Sequence, residues 1–174
     1  MQKVRKGQVF VLLASGFEEV DVSTVIRTLR GFGFPVPAVG LTAGPLRGAY
    51  GLFFMPDATL SEVETEQPHA VVLPGGVQSA RRLNADPRVH ALLRRVIVRG
   101  GCVLALDTAY VVLRNARVLD ESGEEVAEGS LLEVGSGIRA SERVVVEGQV
   151  IFGRDSGAAQ ESTLTLVTLL ESGA

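Results

Sequence analysis

Short apolar runs alternate with segments of helical periodicity along most of the chain. Residues 9–14 form a continuous apolar run, typical of a strand that is buried on both faces. After a Ser-Gly turn, the apolar positions within 20–29 recur at helical spacing. Further buried strands are predicted at 70–73 and 102–106, each followed by a helical pattern. The alternation predicts an α/β fold with a mostly parallel sheet and helices on both faces.

The remaining elements are shorter or less regular in pattern. Pro35 and Pro37 indicate that a strand at 35–41 lies near an edge of the sheet, where a missing N–H is tolerated. Asp86 is predicted to cap a helix at 87–98, with Pro87 at its first position. The other predicted elements are a hairpin at 46–55, a turn into a short helix at 56–63, a helical segment at 80–83, short strands within 117–140, a hairpin at 144–152 and a terminal helix at 162–170.

Length and composition indicate a soluble protein with one core. The 174 residues fit a single domain spanning 1–174, and this length can bury a core without disulfides or metals. No stretch approaches the roughly 20 apolar residues that a membrane span requires. The first residues, MQKVRKGQVFVLLASG, resemble a signal peptide, but the apolar run is short and leads into Glu18 and Glu19. We therefore expect a first strand and a cytoplasmic protein that does not bind membranes.

Charge and cysteine content exclude several classes of site. The net charge is −3 and no Lys/Arg block occurs, which argues against a nucleic-acid surface. A single cysteine, Cys102, excludes an internal disulfide and a zinc site built from cysteines. Cys102 lies inside an apolar run, so we expect an inert core thiol. No pattern indicates a cofactor or a metal site.

A carboxylate at the end of a buried strand is the main candidate for chemistry. The strand at 102–106 ends on Asp107, and a helical pattern starts at Thr108. Ligands of open α/β sheets bind beyond the carboxyl ends of the strands. In several enzyme classes a tight strand-to-helix elbow of this kind exposes a nucleophile above the sheet. The sequence therefore predicts that Asp107 faces a crevice.

Two other strand ends are predicted to border the same crevice. The first strand leads into a loop with Glu18 and Asp21, and the strand at 70–73 leads into Gly75 and Gly76. The backbone N–H groups of the glycine turn and of Thr108 are placed to face an anion, as in an oxyanion hole. Glycine turns after strands are common, so this pattern alone has modest specificity.

Four segments in register resemble one protein family. They are ASGFEEVD at 14–21, LPGG at 73–76, the strand and elbow at 103–110, and VVVEGQVIFGRDSG at 144–157. Together they resemble the DJ-1/ThiJ/PfpI superfamily, relatives of the class I glutamine amidotransferases. The resemblance implies a flavodoxin-like three-layer sandwich and a homodimer. Family members include glyoxalase- or deglycase-type enzymes, peptidases, chaperones and stress or redox sensors.

Matched to the family residue by residue, the chain has an aspartate in place of the catalytic cysteine. The resemblance places Asp107 at the cysteine position, Asp21 at the position of the acid that hydrogen-bonds to it, and Gly76 and the Thr108 amide at the oxyanion donors. Many family enzymes also have a histidine about twenty residues beyond the elbow. The only histidines here are His69 and His90, which we expect to be structural or exposed.

The replacement leads to predictions about the elbow itself. Elbow residues commonly adopt a left-handed backbone, which aspartate tolerates. If Asp107 and Asp21 lie close together, the two carboxylates cannot both ionise easily. We expect one raised pKa, a shared proton or a bound cation, with Asp21 as the protonated member. The alternative is that Asp21 caps a helix or faces solvent.

Three functions remain open from the sequence. The first is a non-catalytic family member, a sensor or scaffold that binds a small molecule, a cation or a partner at the elbow. The second is a hydrolase or lyase in which Asp107 and Asp21 act as a carboxylate pair, although the second aspartate of a phosphatase-type DxDxT motif is missing. The third is a nucleotide-binding flavodoxin-type module. Against it, Gly31 and Gly33 follow a helix, where glycine is typical of a C-cap.

Overall fold

The fold is described from a computed structural model, which covers residues 6–118 and 143–173. Of the short strands predicted within 117–140, everything from residue 119 onward lies outside the described residues. None of the described helices is long and apolar enough to cross a membrane. The described strands are β1 Val9–Leu13, β2 Ala38–Gly40, β3 Leu46–Arg47, β4 Phe53–Phe54, β5 Ala58–Thr59, β6 Ala70–Leu73, β7 Cys102–Leu106, β8 Val144–Glu147 and β9 Val150–Gly153; the described α-helices are α1 Glu19–Gly31, α2 Val77–Ala85, α3 Pro87–Val98, α4 Tyr110–Ala116 and α5 Ala159–Ser172.

The described strands form one large sheet and a small hairpin. Seven strands pair in the order β5-β2-β1-β6-β7-β9-β8, and β3 pairs with β4 separately. All neighbours in the large sheet are parallel except β8 and β9. The predicted α/β fold with a mostly parallel sheet is therefore confirmed. The carboxyl ends of β1, β6 and β7 lie side by side at one edge of the sheet.

Helices cover both faces of this sheet and create two apolar cores. Successive strand residues point to opposite faces, so Val103 and Ala105 belong to one core, while Leu104 and Leu106 belong to the other. The first core is closed by α2, α3 and α4. The second is closed by α1 and α5, which pack against each other. The continuous apolar runs of β1, β6 and β7 follow from burial on both sides.

One predicted helix is absent, and its start signal has another role. The prediction of a helix within 56–63 is wrong: β5 pairs there with β2, and a turn follows. Thr59 and Glu62 make the reciprocal hydrogen bonds of a capping box. The next N–H, that of Leu60, donates to the Gly40 carbonyl at 2.8 Å, which ties the segment to the sheet. Because β5 forms the edge, β2 is second from the edge, which agrees with a strand near the edge, and Pro35 and Pro37 lie before its first residue.

Other local predictions agree with the structure. The Asp86 side chain caps α3 by accepting a hydrogen bond from the Arg88 N–H at 2.9 Å. Helix α1 ends at Gly31, and Gly33 has φ +84° with its N–H bonded to the Arg30 carbonyl. This glycine pair therefore terminates a helix, which removes the sequence feature considered for nucleotide binding.

Candidate functional site

Asp107 forms a strained elbow at the carboxyl end of β7. Its backbone has φ +46°, the left-handed conformation expected from the sequence. A single turn of 3-10 helix, Asp107–Ala109, connects the strand to α4. Leu106 before it is fully buried, whereas the Asp107 side chain is partly exposed. The elbow thus lifts a carboxylate out of the core at the place where open α/β sheets bind ligands.

The turn after β6 brings backbone close to this carboxylate, and only glycine fits it. Gly76 has φ +110°, and a β-carbon there would overlap the Gly16 carbonyl oxygen. A β-carbon on Gly75 would lie 2.8 Å from Asp21 Oδ2 and 3.3 Å from Asp107 Cβ. The two aspartates predicted to approach each other therefore flank one glycine.

Asp21 lies in the first turn of α1 and is completely buried, with 0% of its surface exposed. Its Oδ2 accepts a hydrogen bond of 2.9 Å from the Gly75 N–H. Its Oδ1 is buried without a hydrogen-bond partner among the described residues. The alternative that Asp21 caps a helix or faces solvent is therefore wrong.

Burial raises the pKa of Asp21 to about 6. The Gly75 hydrogen bond opposes this shift, while the neighbouring carboxylates of Glu18, Asp107 and Asp155 add to it. Burial also raises the pKa of Glu18, together with the charges of Glu19 and Asp107. The direction agrees with the prediction that Asp21 is the protonated member of the pair, because desolvation and like charges both disfavour a carboxylate.

The glycine amides are engaged by side chains rather than open to a ligand. The Gly75 N–H donates to Asp21, and the Gly76 N–H donates to Thr108 Oγ1 at 3.1 Å. The sequence predicted that these N–H groups face an anion, as in an oxyanion hole. The structure differs because both N–H groups already have partners from other parts of the chain: the carboxylate of Asp21 in α1 and the hydroxyl of Thr108 after the elbow.

Two acidic residues of the site were not singled out from the sequence. Asp155 follows β9, the neighbour of β7, and its charge contributes to the raised pKa of Asp21. Glu19 fastens the β3–β4 hairpin, because its Oε1 accepts hydrogen bonds from the N–H groups of Tyr50 and Leu52. A signal for Asp155 was available, since it lies within the 144–157 segment at the end of a strand. Glu19 lies within the 14–21 segment, but nothing in the sequence indicated that it contacts the β3–β4 hairpin.

The thiol and the imidazole groups of the described residues lie away from the Asp107 elbow. Cys102 is the first residue of β7, at the opposite end of the strand from Asp107, and burial raises the pKa of its thiol. Its N–H donates to the carbonyl of His69, whose side chain is exposed. His90 Nε2 contacts Asn84 Oδ1 on the neighbouring helix at 3.2 Å. Among the described residues, no three acidic, histidine or cysteine side chains are arranged to hold a metal ion.

Comparison with known proteins assigns the family. The model of the DJ-1/PfpI family matches residues 7–169. The chain belongs to the DJ-1/PfpI family. The Parkinson disease protein 7 homolog of Danio rerio is 29% identical over 162 residues, covering 90% of this chain and 86% of that protein. The glutathione-independent glyoxalase DJR-1.2 of Caenorhabditis elegans is 25% identical, with coverages of 96% and 90%.

Solved structures of the DJ-1/PfpI family share the fold. The crystal structure of Drosophila melanogaster DJ-1beta superposes with a TM-score of 0.81 at 26% identity, covering 96% of this chain and 95% of that one. The family resemblance seen in the four sequence segments is therefore confirmed over nearly the whole chain. The flavodoxin-like sheet flanked by helices is the fold of this family.

Proposed function

We propose that this chain is a cytoplasmic, non-catalytic DJ-1/PfpI protein that binds a small molecule or cation at the elbow. Asp107 takes the place of the family's nucleophilic cysteine in this proposal. The observation that carries it is the left-handed backbone of Asp107, φ +46°, at the end of β7. The only cysteine of the sequence begins the same strand, five residues earlier. The chain has the elbow but carries no thiol on it.

The chemistry of the side chain supports a binding role. A thiolate attacks carbonyls and oxidises stepwise, whereas a carboxylate does not undergo this oxidation and is a poor nucleophile toward aldehydes. A carboxylate shares its charge and its two acceptor oxygens with a cysteine sulfinate. Asp107 thus mimics a permanently oxidised cysteine. A sensor or scaffold of this kind would respond to ligand or partner, and not to peroxide.

A second candidate function is a hydrolase or lyase reaction that uses the carboxylate pair. One of the relatives is named as a glyoxalase. The pKa of Asp21 is raised to about 6, which suits a general acid or base near neutral pH. Asp107 beside it would serve as nucleophile or base. This candidate requires that a substrate reach Asp21, which is fully buried.

Turnover assays separate the two functions. The purified protein is assayed with methylglyoxal and with chromogenic ester and phosphate substrates, beside Asp107→Asn. A matched control is Glu161→Gln, which makes the same carboxylate-to-amide change on the exposed face of α5. We expect no turnover from any of the three proteins. Turnover that is lost in Asp107→Asn and kept in Glu161→Gln would establish the enzyme instead.

We further propose a homodimer that uses the β3–β4 hairpin. The hairpin exposes large apolar side chains, with Tyr50 81%, Phe53 70% and Leu52 66% exposed, and Val20 on α1 is also exposed. Exposed apolar patches on soluble proteins commonly mark interaction sites. Phe53→Glu is expected to convert the dimer to a monomer in light scattering coupled to size exclusion. The control is Val98→Glu at an isolated site that is 85% exposed, and equal masses for both variants would contradict this interface.

A further inference from the structure

We propose that the elbow site selects ligands that present an ammonium group, and rejects carboxylates and other small anions. This inference rests on the proposed binding function and specifies the chemical class of the ligand. A site that inherits the family's position would be expected to hold an oxyanion between backbone amides. Three observations about the described residues indicate the opposite charge.

The first observation is that the donors of the glycine turn are occupied. The Gly75 N–H is hydrogen-bonded to Asp21 at 2.9 Å, and the Gly76 N–H to the Thr108 hydroxyl at 3.1 Å. An incoming anion would have to displace both side chains to use these groups. Displacing Asp21 would also leave a buried carboxylate without its hydrogen bond, which is unfavourable.

The second observation is the charge that surrounds the elbow. Glu18 and Asp107 are partly exposed and electrostatically coupled, and both are coupled to the buried Asp21. Within the described residues, none of these three carboxylates forms a salt bridge. Asp155 also contributes negative charge, although it lies near the Arg143 guanidinium at the turn around Gly157. An anion would meet like charges, whereas a cation would find acceptors.

The third observation is independent of the number of acidic residues. Asp21 is fully buried, and its Oδ1 has no hydrogen-bond donor among the described residues. Buried polar atoms are almost always hydrogen-bonded, so an unpartnered carboxyl oxygen at this position indicates a missing partner. An ammonium group held by the partly exposed Asp107 and Glu18 would place positive charge beside Asp21 without having to reach its buried oxygens, and would stabilise its ionised form.

An organic cation suits these residues better than a metal ion. No three metal-ligating side chains of the described residues are arranged around one point. An ammonium group needs no fixed coordination number, and its three N–H groups can contact carboxylates at different distances. A proton on Asp21 would compete with it, because protonation removes one negative charge. Binding should therefore weaken as the pH falls through about 6, where Asp21 takes up its proton.

The test uses two three-carbon probes of opposite charge. Propylammonium and propionate are titrated separately into the full-length protein, and amide NMR signals of Gly75, Gly76 and Thr108 are followed. We expect propylammonium to shift these signals and propionate to leave them unchanged. Asp107→Asn and Glu18→Gln should each weaken propylammonium binding about tenfold, the effect of losing one charged hydrogen bond. Glu161→Gln should leave it unchanged.

The outcomes keep this inference separate from the proposed function. Shifts with propionate but not propylammonium, or equal shifts with both, would overturn the charge selectivity, and so would the absence of any shift with propylammonium. Propylammonium binding that is unaffected in both Asp107→Asn and Glu18→Gln would also overturn it. None of these results bears on turnover. Conversely, turnover dependent on Asp107 would refute the non-catalytic function even if the ammonium probe binds.

Discussion

The two ends of β7 carry different reactive side chains in different surroundings. At the amino end, Cys102 packs beside a cavity of about 900 Å³ that also contacts His69 and Arg99. At the carboxyl end, Asp107 stands on a left-handed elbow among other acidic residues. This cavity lies at the end with the thiol, whereas the left-handed elbow and the neighbouring carboxylates lie at the other. We place the candidate site at the carboxyl end because ligands of open parallel sheets bind there, although the thiol and the cavity lie at the amino end.

The difference arises from how loops converge at each end. At the carboxyl end, the Glu18 N–H donates to the Gly75 carbonyl at 2.9 Å, and the Gly76 N–H donates to Thr108. Three successive strand ends are thus joined by direct hydrogen bonds. At the amino end, the Cys102 N–H donates to the His69 carbonyl and extends the ordinary pairing of β6 with β7. The carboxyl ends are therefore joined through the glycine turn and the elbow, whereas the amino ends of β6 and β7 continue the sheet pairing soon after Gly100, which has φ +82°.

The largest expected effect is a loss of stability when the glycine turn at the carboxyl end is altered. Gly76→Ala places a β-carbon on a backbone with φ +110° and against the Gly16 carbonyl. The combined strain and overlap should lower the free energy of unfolding by about 3 to 5 kcal/mol. Urea unfolding measures this change.

Gly33→Ala is the matched control for this prediction. Its φ is +84°, but a β-carbon there has nothing within 4 Å. The backbone conformation alone should cost about 1 to 2 kcal/mol. Equal losses in the two variants would mean that the close approach of Gly76 to Gly16 is not what requires glycine at the turn.

The next largest effect concerns the proton of Asp21. Its pKa is about 6 in the folded protein and 3.8 without burial, so ionisation destabilises the fold by about 3 kcal/mol. Wild-type stability should therefore fall, relative to Asp21→Asn, as the pH rises from about 4 to about 6, and stay constant above that range. The asparagine carbonyl can still accept the Gly75 hydrogen bond. Urea unfolding of both proteins across this range measures the difference.

The sign of this difference is the decisive point. Below about pH 4 Asp21 is protonated in both the folded and the unfolded chain, so the pH-dependent part of the difference disappears. Asp57→Asn is a control, because this carboxylate is about half exposed at a surface salt bridge with Arg30. A wild-type protein that gains stability over Asp21→Asn with rising pH would show that Asp21 ionises readily in the folded state.

Much of the carboxyl end followed from the sequence because its signals are local. The apolar run that stops at Asp107 predicted the elbow, and the family resemblance implied that Asp21 lies near Asp107, whereas the hydrogen bond from the Gly75 N–H to Asp21 was not predicted. Both depend on strand ends meeting at one edge of a parallel sheet. The proline at the start of α3 and the cap at Asp86 were likewise readable from neighbouring residues.

The sequence did not show which of several possible partners a hydrogen-bonding group takes in the folded chain. The amide of Thr108 stays a predicted donor, but the hydrogen bond that its hydroxyl accepts from the Gly76 N–H was not predicted. Thr59 and Glu62 carry a helix-start pattern, but pairing of Leu60 with Gly40 prevents the helix. In each case a tertiary contact outweighs a local preference, and only the folded chain places the two partners together.

A smaller effect is expected when a thiol is moved from the amino end of β7 to its carboxyl end, so that the same group is compared at both ends. In an Asp107→Cys variant that also carries Cys102→Ala, the single thiol stands on the elbow. Because the elbow side chain is partly exposed, peroxide should oxidise this thiol at least about tenfold faster than it oxidises the buried thiol of the wild type. Intact-mass spectrometry measures both oxidation rates. Equal rates would show that the elbow does not expose its side chain.

The smallest effect is expected from removing the thiol at the amino end. Cys102 is buried with 7% of its surface exposed and packs in the core between the sheet and α1 and α5. Cys102→Ala deletes one sulfur atom next to an existing cavity, so its cost should be about 1 kcal/mol. Ligand-induced shifts at Gly75 and Gly76 should be identical to those of the wild type, because Cys102 is separated from the elbow by the length of β7. Loss of those shifts would mean that the two ends of the strand are coupled, and that the thiol influences the elbow despite its distance.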